Sequence, residues 1–193
     1  MPELVDDPVR DRVTSRSTTG VRNTAQLRDD PVFLRRPRLS DAGHMWRIAK
    51  DTGVLDVNSS YAYLLWCRDF AATSVVAEIG TTVAGFATGF IRPESPDTLF
   101  VWQVAVDSAA RGRGVGVSML DHMLCRATPF AVRFLETTIT ADNPASLAMF
   151  TALANSRGTD IYARPLFSES HFPDGHAAED LYTVGPIHQN GTR

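Results

Sequence analysis

The stretch "VAVDSAARGRGVGVSML", residues 104–120, runs from an apolar, strand-like segment through alternating arginine and glycine into an apolar, helix-like segment. Glycines ahead of a helix let backbone N–H groups approach an anion, and the helix dipole adds to the attraction. A Walker-type phosphate loop would need Lys and then Ser or Thr after its last glycine, and neither is present. A dinucleotide fingerprint fits Gly112 and Gly114, but Val117 stands where the third glycine belongs, and the segment follows the fourth strand instead of the first. A plain glycine turn carrying two solvated arginines is the simplest alternative.

The segments around this stretch show what kind of sheet it belongs to. Upstream, "TLFVWQVAVD" is a near-continuous apolar run, predicted as a central strand. Before it, "SVVAEIGTTVAGFATGFIR" reads as two strands joined at Gly80-Thr81. "SDAGHMWRIAKDTG" reads as a helix with Ser40 as N-cap, Ala42, Met45 and Ala49 on one face, and Gly53 as its stop. "NSSYAYLLWCRDFAA" reads as a second helix capped by Asn58 or Ser59, and "VFLRRP" as a first strand. Downstream, Val115, Met119 and Met123 recur at helical spacing, and "VRFLETTIT" reads as a strand. "NPASLAMFTALANSRG" reads as a helix with Asn143 as N-cap and Pro144 in its first turn; "TDIYARPLF" and "AEDLYTVG" close the chain as strands. The order β-α-α-β-β-β-α-β-α-β-β predicts one α/β domain, a mixed sheet flanked by helices, over residues 31–187. Polar tails at 1–30 and 188–193 lie outside it.

Composition narrows the partners. The 193 residues carry a net charge of −3, which argues against nucleic acid and suits a cationic substrate. Lys50 is the only lysine beside many arginines, and no arginine block forms a basic face. The two cysteines, Cys67 and Cys125, sit in apolar helical patterns and are expected as buried free thiols. No apolar run is long enough for a membrane helix, and no signal core is visible, so the expected location is the cytoplasm.

A third motif fits residues 111–116 better than the first two: the acyl-CoA pyrophosphate loop, Arg/Gln-x-x-Gly-x-Gly/Ala at a strand-to-helix turn. Arg111, Gly114 and Gly116 hold its fixed positions; Gly112, Val115 and the charge of Arg113 complete it. With "NPASLAMF" downstream, residues 31 to about 187 resemble the GNAT superfamily of N-acetyltransferases. Four segments, "GVLDVNSSYAYLLWC", "FVWQVAVDSAARGRG", "FLETTITADNPAS" and "AEDLYTVGP", are more closely similar to its L-2,4-diaminobutyrate acetyltransferases. The resemblance implies a GNAT-type acyl-CoA N-acyltransferase fold. It implies acetyl-CoA as co-substrate, no metal, a small diamino acid as acceptor, a homodimer, and a role in ectoine biosynthesis under osmotic stress. It places Asn143, Ser146 and Phe150 beside the pantetheine arm, and the Val104 amide, with Val106, along the thioester.

Direct attack by the amine on a thioester needs no covalent enzyme intermediate if the two reactants are held together. The sequence shows no Cys-His or Ser-His constellation. A diamino acid carries two ammonium groups and one carboxylate, which calls for acidic residues and an aromatic wall. Asp56 and Glu179 are the candidate ammonium ligands, His176 a second contact, and Trp102 either wall or core. An amine with a pKa of about 10 must lose a proton before it attacks. Many members of the superfamily use a Glu on the central strand, where this chain has Gln103; Asp56, or Glu179 through a water, are the candidates instead. Phe150 stands where a tyrosine often protonates the leaving thiolate, and Tyr61 is the proposed replacement, with core packing as its alternative. His171, Asp174 and His176 match no standard zinc spacing. A protein, peptide or antibiotic acetyltransferase, and a non-catalytic acetyl-CoA sensor, are the competing functions.

Overall fold

A computed structural model describes residues 30–53, 55 and 57–188. The proposed tails fall almost wholly outside these residues, and so does Asp56. The elements are β1 (Val32–Arg35), α1 (Ala42–Thr52), α2 (Ser60–Arg68), β2 (Val75–Ile79), β3 (Thr82–Arg92) and β4 (Ser95–Val106), then α3 (Val115–Ala127), β5 (Phe134–Thr140), α4 (Pro144–Arg157), β6 (Ile161–Phe167) and β7 (Glu179–Val184). Their order is the expected one. They form a seven-stranded sheet in the order β1-β2-β3-β4-β5-β7-β6, in which only β4 and β5 run parallel.

Helices cover both faces. On one, Val115, Met119, Leu120 and Met123 of α3 and Phe150 and Leu153 of α4 pack on Val75, Ala87, Leu99, Val101 and Leu135. On the other, Met45, Ile48 and Ala49 of α1 and Tyr63 and Cys67 of α2 pack on Val76, Phe86 and Ala105. Each fully buried aliphatic side chain in these layers contributes about 1.5–3 kcal/mol.

A bulge in β4 decides which side chains reach which face. The β3–β4 register steps from Thr88 opposite Gln103 to Gly89 opposite Val101, so Trp102 has no opposite number. One extra residue reverses the alternation of a strand. Leu99 and Val101 accordingly face α3 before the bulge, Val104 and Val106 pack there after it, and Ala105 turns to α1 and α2.

Two local expectations need correction. Ser40 is not the N-cap of α1: it lies in a 3-10 turn, Leu39–Asp41, and α1 starts at Ala42. Asp41 organises that turn. It is 4% exposed, accepts the Arg38 N–H at 2.7 Å and pairs with both Arg35 terminal nitrogens at 2.7 and 3.0 Å. Burial pushes the Asp41 carboxyl up, but these hydrogen bonds outweigh it and hold it below the usual carboxylate range. The second correction is Cys125, which is exposed. Its sulfur accepts a hydrogen bond at 3.0 Å from Arg157, which also pairs with Asp121 at 2.6 Å and ties α4 to α3. Cys67 is buried as expected, and burial pushes its thiol up to about 11, so it is no nucleophile at neutral pH.

Candidate active site

β4 and β5 pair over three rows, Thr98–Phe134, Leu99–Leu135 and Phe100–Glu136. Beyond Phe100 the ladder ends, and Thr137 Oγ1 donates to the Val101 carbonyl at 3.1 Å just past it. The opening faces a cavity of about 880 Å³ on the side away from α3.

The backbone of β4 presents donors to the opening. Asp107 donates its N–H to Ala84 at 2.8 Å, on the β3 side. Alternation along a strand then turns the Val106 and Val104 N–H groups to the opposite edge, where β5 has diverged. The Val106 carbonyl obeys the same rule, since it accepts from Arg111 Nε at 3.2 Å on that edge.

The glycine loop closes the far end of the gap, and its glycines differ in purpose. Gly112 and Gly114 have φ of +76° and +71°, and a Cβ there would meet nothing within 4 Å, so glycine serves the backbone turn. At Gly116 a Cβ would come 2.5 Å from Met149 Sδ, so glycine there lets α3 and α4 approach. The first helical bond of α3 is Ser118 N–H to Gly114 O, which leaves the preceding amides without an acceptor inside the helix. A helix start of this kind favours an anion in general. Arg113 donates one guanidinium nitrogen to the Asp30 carbonyl at 2.6 Å.

Asn143 is the N-cap of α4, accepting from Ser146 N–H at 3.1 Å, and it also borders the cavity. Phe150 does not: at 2% exposure it belongs to the core between α4 and the sheet. Tyr61 is also absent from the cavity wall, 64% exposed in the first turn of α2. The phenol that reaches β4 is Tyr63, fully buried, whose hydroxyl bonds to Gln103 Oε1 at 3.1 Å. Burial pushes the Tyr63 phenol up, so it keeps its proton.

Trp102, Glu179 and His176 all line the cavity. The bulge leaves Trp102 51% exposed there. It continues an aromatic wall with Trp66 at 6.3 Å, and Phe90 and Phe100 are 5.4 Å apart beside it. His176 Nδ1 is 2.8 Å from the Ala177 carbonyl, a bond that fits the tautomer with the lone pair on Nε2. That nitrogen stands 3.8 Å from Glu179 Oε1. Among the described residues no cluster of three metal-ligating side chains occurs.

Sequence reasoning missed Glu136 and Arg92. Glu136 is 9% exposed, accepts from Arg92 Nη1 at 2.7 Å and from Thr183 Oγ1 at 3.3 Å, and sits at the apex of the opening. "FLETTIT" does show one carboxylate in an apolar strand, and a buried carboxylate requires a partner; nothing local says that the partner lies 44 residues upstream.

Residues 41–154 match the model of the acetyltransferase (GNAT) family. The L-2,4-diaminobutyric acid acetyltransferase of Nocardia farcinica is 58% identical over 158 residues, 82% of each chain. The chain belongs to this acetyltransferase family. The Streptomyces coelicolor member is 52% identical over 159 residues, covering 81% of this chain and 94% of the relative. Diaminobutyrate acetyltransferase EctA from Paenibacillus lautus, solved in complex with its substrate L-2,4-diaminobutyric acid and coenzyme A, superposes with a TM-score of 0.78 at 36% identity. That superposition covers 84% of this chain and 99% of the other. The mixed sheet with helices on both faces is thus the GNAT fold that the glycine loop implied.

Proposed function

We propose that this family member transfers the acetyl group of acetyl-CoA to the γ-amine of L-2,4-diaminobutyrate, giving the Nγ-acetyl product for ectoine biosynthesis. The observation that carries the reading is the opening between β4 and β5. It has a backbone diphosphate cradle at one end and an aromatic, carboxylate-bearing cavity on one side.

Acetyl-CoA supplies the activated acetyl carbon. The Val104 amide stabilises the charge that develops on the carbonyl oxygen, as preorganised donors do in acyl transfer. Glu179 and the aromatic wall hold ammonium groups, and Asp56, outside the described residues, keeps its proposed place as a further ligand. The amine must give up a proton, and Asp56, or Glu179 through a water, is the candidate to take it. Tyr61 serves as thiolate acid only if α2 brings it from solvent to the cavity; Tyr63 acts through Gln103 as a positioning residue.

A cytoplasmic homodimer belongs to the same proposal. β6 is an edge strand with no strand partner on its outer side among the described residues. No described helix is long and apolar enough to cross a membrane. The deciding experiment measures thiol release from acetyl-CoA with 2,4-diaminobutyrate, ornithine, lysine and a peptide pool, with the acetylated nitrogen assigned by NMR. Release confined to diaminobutyrate, with acetyl on the γ-nitrogen, is the expected result. Turnover of peptides alone would make this a protein acetyltransferase, and binding of acetyl-CoA without turnover a sensor.

A further inference from the structure

The charges of the cavity sort themselves by partner. Arg92 and Glu136 neutralise each other at 2.7 Å, and Glu136 needs that partner because it is buried. What remains among the described lining residues is Glu179, Asp174 and Arg164, with His176 beside Glu179. Two carboxylates and one guanidinium form the complement of an acceptor that carries two ammonium groups and one carboxylate.

Arg164 is the unexplained member. It stands on β6 opposite Leu181 of β7, which stands opposite Thr138 of β5. Residues directly opposite share a face of the sheet, and Thr138, Leu181 and Arg164 all border the cavity. Among the described residues Arg164 has no ion pair or hydrogen bond, in contrast to Arg92. A guanidinium offers a planar fork that matches a carboxylate in two-point contact. Glu179 lies two residues from Leu181 on β7, on the same face and diagonal to Arg164, beside a bulge of β6 between Pro165 and Phe167. In an α-amino acid the carboxylate and the α-ammonium share one carbon, so this diagonal pair can grip both groups at once. The side-chain amine is then left to extend toward the Val104 amide.

We infer that Arg164 binds the α-carboxylate of the acceptor and so selects an α-amino acid over a simple diamine. The inference rests on the diamino-acid reading above. Its test compares L-2,4-diaminobutyrate with 1,3-diaminopropane, which keeps both amines and their spacing but lacks the carboxylate. The wild type should prefer the amino acid. Arg164→Gln, which keeps much of the aliphatic stem, and Arg164→Ala should lower kcat/KM for diaminobutyrate about 10- to 100-fold, the range for a charged hydrogen-bonded contact. The diamine, and the KM for acetyl-CoA, should change less than about twofold, and Arg164→Lys should recover part of the loss. Equal losses for both acceptors, or none for either, would overturn the inference, as would a preference that collapses in Arg92→Lys but survives in the Arg164 variants. A thermal melt with coenzyme A present shows whether each variant is folded; a melt unchanged from wild type together with a selective loss supports the assignment. A wild type that acetylates neither compound removes the diamino-acid reading itself, and the inference with it.

Discussion

The two faces of the sheet are held by different physics. Against α3 and α4 the contacts are almost wholly apolar, from Val75 to Ile187, with the Arg157–Asp121 pair at the rim. Against α1 and α2 the apolar layer is smaller, and it is pinned at the start of α1 by the buried Asp41, its partner Arg35 and, through Arg35, Glu78 at 2.8 Å. The glycine loop proposed to hold the coenzyme opens the helix of the first face, while the cavity proposed for the acceptor is lined in part by the α1–α2 connection of the second. The first layer keeps its ion pair at the rim, whereas the second is pinned by a buried carboxylate. The face that must recognise a charged acceptor is therefore also the face that acid should loosen.

The largest test of that contrast is Asp41→Asn. Removing the buried partner leaves Arg35 with Glu78 as its one remaining carboxylate among the described residues, at a cost of about 3 kcal/mol, the low end of the range because Arg35 is partly exposed and keeps that second pair. The Asp41 carboxyl is depressed in the folded state. Its contribution is therefore complete above the unfolded value of about 4 and is lost as pH falls through the folded value. Urea unfolding of wild type and variant at pH 7 and at pH 3 should show a gap that narrows on acidification. A gap independent of pH would place the effect in packing, and the contrast between the faces would fail.

The same contrast sets how much was legible in the sequence. The cradle is contiguous, residues 111–116, and its glycines and helix start are local signals. The element order was legible for the same reason, since turn residues and apolar periods are local. The acceptor cavity draws Trp102, Glu136, Glu179 and Arg164 from four strands, and only register brings them together. Trp102 was singled out without the bulge that explains its exposure. Glu136 and Arg92 were passed over because an ion pair 44 residues apart leaves no local mark. Ser40 misled because Ser before an apolar run is a common cap, yet the adjacent Asp41 had a stronger bond to make with Arg35.

A pair of variants separates the two halves of the site. Gly114→Val puts a β-branched residue at φ +71°, a strain of about 1–3 kcal/mol, and should raise the KM for acetyl-CoA by roughly 30-fold. It should leave the acceptor KM within about twofold. Glu179→Gln removes a charged contact and should lower kcat/KM for the diamino acid by roughly 20-fold with the acetyl-CoA KM unchanged. Steady-state kinetics with each substrate varied in turn reads both. If either variant raises both KM values equally, cradle and cavity are one mechanical unit and the separation drawn from their opposite faces is wrong.

The smallest effect sharpens the boundary between them. Gln103 lies on β4 one residue before the proposed oxyanion donor, and Tyr63 holds its side chain at 3.1 Å from the acceptor face. Tyr63→Phe deletes that hydroxyl without opening a cavity, and should cost about 1 kcal/mol of stability, the value of one hydrogen bond. If Tyr63 fixes Gln103 and through it the strand, kcat should fall several-fold while both KM values hold. Tyr61→Phe, at a site exposed to solvent, should by itself leave stability unchanged. A large fall in kcat for Tyr61→Phe would mean that α2 carries the phenol into the cavity during turnover. The acceptor face would then be the moving face as well as the charged one. An unchanged kcat in Tyr61→Phe beside a reduced one in Tyr63→Phe would instead assign the work of α2 to holding β4 still.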